Sequence, residues 1–190
     1  MTDMGWLSVH DTHIGLVGIS GTGKSTLATH LREILGEDRP YLSLSSFVRS
    51  LTTDFHLAPT RDNFAQVAAR CRQRMWNWFL ATFAYGAIAH GSSELPYIID
   101  GIRHTDEIEF LRRKLSITLI GIKVDDRDTL AERIAARAKP TDNITPEGIR
   151  ATLQRERQSS SMNVEDCLPL CDVIIEVSKQ FKIGPLDMCF

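Results

Sequence analysis

The 190-residue sequence predicts an α/β fold, a five-stranded parallel sheet with helices on both faces. Three observations carry this expectation. Short apolar runs rich in Ile, Val and Leu alternate with amphipathic stretches of helical period, the pattern of strands buried on both faces. A glycine-rich stretch, GISGTGKST, joins the first apolar run to the first amphipathic one. The composition, 43% hydrophobic and 24% charged, is that of a globular domain, and a chain this long can bury a core without disulfide or structural metal.

Taken in order, HIGLVG (His13 to Gly18) reads as the first strand. A helix starts at Lys24, places Leu27, Leu31, Ile34 and Leu35 on one face, and stops at Gly36. Around Tyr41 to Leu44 a second strand follows Pro40, then a short helix over SSFVRSLTTDF capped by Ser45 or Ser46. From Asp62 to about His90 the chain is helical, rich in alanine and free of proline, with Gly86 as the weak point at which it would divide. Tyr97 to Asp100 is the third strand, and HTDEIEFLRRK a helix capped by Thr105 or Asp106 with Ile108 and Leu111 on one face. Ser116 to Val124 is the fourth strand, DDRDTLAERIAARAK a helix and Pro140 to Asn143 a loop. TPEGIRATLQRERQ is a helix with Pro146 at its first position, and Cys171 to Val177 the fifth strand. The closing KQFKIGPLDMCF takes no assignment. One domain, residues 1–190, accommodates all of these elements.

Charge and composition narrow the function. A net charge of −2 gives no general attraction to nucleic acid or to a membrane surface. No stretch approaches the roughly 20 apolar residues of a membrane span. The opening MTDMGWLSVHDTH lacks the basic-then-apolar order of a secretory signal, so the expected compartment is the cytoplasm. Cys71, Cys167, Cys171 and Cys189 form no C-x-x-C pair and read as small thiols in a reducing compartment. The six histidines show neither metal spacing nor a nucleophile partner.

Gly18, Gly23, Lys24 and Ser25 satisfy G-x-x-x-x-G-K-[ST] in full. A polyphosphate needs many donors at short range, and backbone amides supply them only where side chains do not block the approach. Glycines at Gly18, Gly21 and Gly23 clear that approach, and the helix opening at Lys24 adds unsatisfied amides and partial positive charge. Thr22 and Thr26 complete the loop. Lys24 can reach the β- and γ-phosphates of ATP, and the Ser25 hydroxyl can enter a Mg2+ shell. No NKxD-like guanine reader and no LSGGQ-like transporter signature is present, and motors and helicases are usually longer. Phosphoryl transfer to a small acceptor is the class that remains.

Further stretches resemble the adenylate-kinase-like family of nucleoside monophosphate kinases. Leu42 to Arg49 (LSLSSFVR) is similar to that family's strand-Ser-x-Gly-Asp-x-x-Arg segment, with Ser46-Phe47 where the family has Gly-Asp. Ile98 to Arg103 (IIDGIR) resembles its Asp-Gly-Phe-Pro-Arg segment, and Arg133 to Arg137 (RIAAR) its Arg-Leu-x-x-Arg lid signature. SLSSFVR, LAPTRDNFAQVAARCR, IIDGIRHTDEIEFLRR and NVEDCLPLCDVII together resemble a branch of dephospho-CoA-kinase-like proteins, some fused to a deoxycytidylate deaminase domain. No deaminase zinc signature stands here. The resemblance implies a P-loop kinase-like fold, an acceptor-binding insert at about 45–92 and a lid at about 137–158.

Phosphoryl transfer needs alignment and positive charge on both reacting anions. Arg49 and Arg103, at the carboxyl ends of strands, are candidates for the acceptor's phosphate, because a guanidinium fork meets two oxygens. Arg61 is either a further acceptor contact, as the resemblance implies, or only the residue after a capping Thr60. Asp100 is a Walker-B-type magnesium holder, or else a helix cap or partner of Arg103. Arg133 and Arg137 share one helix face and could stabilise the moving phosphoryl group, or pair with Asp128 or Glu132. Arg155 is a lid candidate. Trp76, Trp78 and Phe79 fit core packing better than an acceptor wall. The expected function is ATP- and Mg2+-dependent phosphoryl transfer to a small nucleotide-like acceptor, a (deoxy)nucleoside monophosphate. A dephospho-CoA-type kinase and a nucleotide-binding switch are the alternatives.

Overall fold

A computed structural model describes residues 11–137, 145–158 and 162–177. Five strands form one parallel sheet: β1 His13–Val17, β2 Tyr41–Ser43, β3 Ile98–Ile102, β4 Ile117–Lys123 and β5 Val173–Glu176. Their order is β2-β3-β1-β4-β5. The central β1 pairs with β3 on one side (Ile14 opposite Ile98) and with β4 on the other (Ile14 opposite Thr118). The chain passes from β1 to β2 and β3 on one side, then crosses β1 to place β4 and β5 on the other, and this reversal opens a crevice at the carboxyl ends of the strands.

The helices are α1 Lys24–Leu35, α2 Leu44–Asp54, α3 Arg61–Arg74, α4 Phe79–Ala89, α5 Thr105–Lys114, α6 Arg127–Arg137, α7 Pro146–Gln158 and α8 Val164–Cys167. A 3-10 turn, Leu168–Leu170, leads into β5. Neither α8 nor this turn was anticipated from the sequence. Ile14, Leu16, Ile98, Ile99 and Leu119 on the central strands are fully buried. Gly15 makes room between them, since an added Cβ would lie 2.5 Å from Leu119 Cδ2 and 2.8 Å from Ile102 Cδ1. Among the described residues no helix is long and apolar enough to cross a membrane.

Several boundaries correct the sequence reading. The long helical region divides at Met75 to Trp78 and not at Gly86, which lies inside α4. Tertiary bonds hold the break: Asn77 donates its side-chain amide to Asp106 at 2.9 Å, and its carbonyl accepts Arg72 Nε at 3.4 Å. Helix α2 starts at Leu44 with Ser43 as its cap residue, two to three residues earlier than a Ser45 or Ser46 cap allows. His104 caps α5 in place of Thr105 or Asp106. Its side chain accepts from Asp106 N at 3.1 Å, and Glu107 accepts from the backbone of Arg103 and His104. Ile34 lies at the edge of the buried arc of α1 and is 46% exposed, whereas Leu27 and Leu31 are buried.

Phe79 is fully buried, as core packing requires, while Trp76 is exposed and stacks on Trp78 at 5.9 Å. Cys167 is buried and Cys171 half-buried; burial pushes both thiols up, Cys171 to about 11. Cys189, the Pro140 to Asn143 loop and the closing segment lie outside the described residues.

Leu27→Ala is expected to cost about 2–5 kcal/mol in urea unfolding, because it empties a buried site. Ile34→Ala on the same helix is expected to change stability by no more than about 0.5 kcal/mol.

Candidate functional site

Strand β1 delivers Gly18 to Thr26 into the crevice as a loop that closes on α1. Gly23 caps this helix with a left-handed φ of 101°, and Gly21 has φ 87°. A side chain at Gly21 would also press on Leu130 O at 3.2 Å, so glycine serves both the turn and the packing. The Thr22 hydroxyl donates to Ile19 O at 2.9 Å, and Lys24 Nζ to the same carbonyl at 2.8 Å. Lys24 is thus folded back along the loop and buried. Burial, opposed by Asp100 and Glu156 and aided by Arg103 and Arg137, lowers its pKa to about 8. Ser25 and Thr26 are exposed at the start of α1.

Asp100 stands on β3 beside the loop. Its Oδ2 accepts the Tyr41 hydroxyl at 2.6 Å and lies 3.5 Å from Ser25 Oγ. Its Oδ1 is buried with no hydrogen-bond partner among the described residues. Burial, with the bond to Asp100, raises the Tyr41 pKa, so the phenol stays a proton donor. One carboxylate oxygen oriented by Tyr41, one left over, and a hydroxyl alongside form an oxygen donor set that fits a hard divalent cation.

The loop, Arg61 and Arg103 meet at a residue the sequence reading did not select. Glu156, on α7, accepts Ser20 N at 2.5 Å on Oε2. Its Oε1 accepts Ser20 Oγ at 2.8 Å, Arg103 Nη1 at 3.0 Å and Arg61 Nη1 at 3.4 Å. Burial alone would raise its pKa. Arg103, Lys24 and the two Ser20 hydrogen bonds outweigh that and hold it below the ordinary carboxylate value. In the run RER it resembles any solvated helix charge. The available signal was periodic: Ile149, Thr152, Leu153 and Glu156 fall on one face of α7, and all four are buried.

These groups line one cleft of about 900 Å³, which also takes in Arg49, Arg133, Arg137 and Arg155. Arg49 is exposed and reaches Ser45 Oγ at 3.1 Å. Arg155 donates to Asp62 at 3.1 Å. Arg133 and Arg137 approach from α6, with Arg137 exposed. Phe47, at the place of the resembled segment's Asp, stacks on Phe83 at 5.5 Å and so serves packing. Trp76, Trp78 and Phe79 do not line the cleft; Phe64, Ala65, Leu80 and a buried Arg72 do. Tyr41 and Arg72 escaped the sequence reading, because one stands on a short strand and the other in an ordinary basic helix face.

Comparison with known proteins places this geometry. A family model described as an AAA domain matches residues 14–161. UPF0200 protein TK1334 of Thermococcus kodakarensis is 30% identical over 133 residues, covering 67% of this chain and 69% of its own. A UPF0200 protein of Methanoculleus marisnigri is 28% identical over 144 residues, 75% of this chain and 76% of the relative. Among solved structures, shikimate kinase from Acinetobacter baumannii, in complex with shikimate, superposes with a TM-score of 0.53. It is 17% identical, over 87% of this chain and 83% of that one. TT1252 from Thermus thermophilus gives 0.54 at 18% identity over 90% and 91%. At these identities the likeness establishes the fold, a parallel P-loop kinase-like α/β architecture.

The Lys24 pKa sets a direction for stability. It lies below the unfolded value of 10.5, so between about pH 8 and 10.5 the unfolded chain binds more protons, and stability rises with pH. Urea midpoints at pH 8 and pH 10 are expected to show this rise in the wild type and a smaller one in Lys24→Met. Glu156→Gln, which leaves cations without their buried counter-charge, is expected to cost about 1–3 kcal/mol in the same assay.

Proposed function

The chain belongs to the AAA domain family, and from that membership and the cleft's geometry we propose that it is an ATP-dependent phosphotransferase acting on a (deoxy)nucleoside monophosphate. One observation carries the reading: a single carboxylate oxygen of Glu156 lies within 3.4 Å of both Arg61 and Arg103, while the same carboxylate bonds the phosphate loop at Ser20. Cations suited to a second anion therefore stand directly against a loop suited to a triphosphate.

In this mechanism the amides from Gly21 to Thr26 surround the β- and γ-phosphates, and Lys24 exchanges the Ile19 carbonyl for a phosphate oxygen. Arg49, Arg61 and Arg103 orient the acceptor's phosphate so that one of its oxygens faces the γ-phosphorus. A bond forms from that oxygen to phosphorus as the bond to the β-phosphate oxygen breaks, and a nucleoside diphosphate leaves from each side. Arg133 and Arg137 offer charge to the group in transit, and Arg155 closes the same wall. Ser25 and Asp100, with Oδ1 uncommitted, would hold Mg2+, which when bound neutralises charge on the triphosphate. The expected partner is thus a small nucleotide, with no nucleic acid or membrane involved.

Labelled ATP incubated with nucleoside monophosphates and with dephospho-CoA is expected to label a monophosphate. Lys24→Ala should abolish transfer with the fold intact. Arg49→Ala should raise the acceptor KM by about 10–100-fold, the worth of a charge-assisted phosphate contact, with a smaller effect on kcat. Tight ATP binding with transfer to no acceptor would overturn the proposal in favour of a nucleotide-binding switch.

A further inference from the structure

Helix α3 presents a graded face to the cleft. Arg61, Phe64, Ala65, Ala68 and Arg72 all line it, and their spacing is that of a single helical stripe. Eleven residues at 1.5 Å each separate the two arginines by roughly 16 Å along the axis. The stripe therefore runs from the phosphate loop, where Arg61 meets Ser20 Oγ at 3.1 Å, across an apolar stretch to a second guanidinium.

That second guanidinium is built differently from the others. The Arg72 side chain is only 4% exposed, its Nη2 donates to Glu107 Oε1 at 2.7 Å, and its plane lies over Phe79 at 5.6 Å from the ring centroid. Its Nη1 is buried without a hydrogen-bond partner among the described residues. Glu107 is itself fully committed, its Oε2 accepting the amides of Arg103 and His104. A buried donor without an acceptor is costly, and its cost is removed by a ligand that supplies one. Glu107 already neutralises the charge, so a second anion is not called for. A neutral oxygen fits, and an amino group would set donor against donor.

We propose that Arg72 reads the acceptor's ring, donating from Nη1 to a carbonyl oxygen on the edge of a planar base remote from the phosphate. The site would then select keto-bearing over amino-bearing nucleoside monophosphates, with Phe64, Ala65, Ala68 and Leu80 against the ring and Arg61 toward the phosphate. This rests on the acceptor being a nucleoside monophosphate, but it is read in binding and not in turnover.

Calorimetric titration of the full chain with UMP against CMP, and with IMP against AMP, tests it. Each pair differs in the group at that edge. The keto member of each pair is expected to bind at least about tenfold more tightly, the discrimination of a site whose buried donor is left unpaired by the wrong ligand. Arg72→Lys keeps the charge beside Glu107 but loses the planar fork, and is expected to bring the ratio within about twofold. Affinity for ribose 5-phosphate should stay unchanged. A fall in melting temperature alone would reflect the Glu107 pair and would not move the ratio. Equal binding within the wild-type pairs, preference for the amino member, a ratio that survives Arg72→Lys, or no binding of any of the four would each overturn the inference. Loss of the kinase reading looks different: the keto preference persists while labelled ATP transfers to nothing.

Discussion

The cleft depends on one buried carboxylate. Lys24, Arg61 and Arg103 converge on the first turn of the phosphate loop, and like charges brought so close in a partly dehydrated space repel strongly. Glu156 supplies the compensating charge from α7, with four acceptor contacts shared between its two oxygens. Its lowered pKa and the lowered pKa of Lys24 express the same balance from opposite sides: burial disfavours both charges, and only for Glu156 do the neighbours more than offset that penalty. Without substrate the cluster is closed by the protein's own anion. On the proposed function, a substrate's phosphate oxygens would bring further negative charge to the same cations.

Topology makes that convergence possible. The loop follows β1, Asp100 stands within β3 and Arg103 follows it, and both strands end at the same edge because every pairing in the sheet is parallel. The switch in strand order around β1 opens the crevice between them. Helix α5 then fixes Arg103 from behind: the Glu107 carboxylate caps the Arg103 amide while its other oxygen holds Arg72. A single side chain thereby links the end of the cleft beside the glycine-rich loop to its apolar end.

Much of this was legible from the sequence because it is written in local patterns. Strand order in the chain, the phosphate loop and the arginines near strand ends rest on short-range periodicity and on residue types with few uses. Glu156 was missed because its meaning is tertiary: RER on a helix is ordinary surface chemistry until α7 packs its Ile149, Thr152 and Leu153 inward and takes Glu156 with them. The break at Met75 to Trp78 was missed for a similar reason, since Gly86 has the weaker helix propensity but Asn77 has the partner. His104 as a cap escaped notice because histidine is not a favoured capping type, and only its geometry beside Glu107 makes it one.

Composition hid the site for a further reason. A net charge of −2 describes a molecule in which the signs are separated in space. Eight basic side chains line the cleft against three acidic ones, so the remaining surface carries the opposite excess. A concave, cationic site in an otherwise acidic molecule attracts small anions that can enter it and gives no advantage to an extended polyanion that cannot. Field lines focus where the walls are of low dielectric, and the apolar middle of α3 supplies such a wall between Arg61 and Arg72. The same stretch that could lie against a base would then also strengthen the pull on the phosphate at its end, so affinity and orientation come from one helix face.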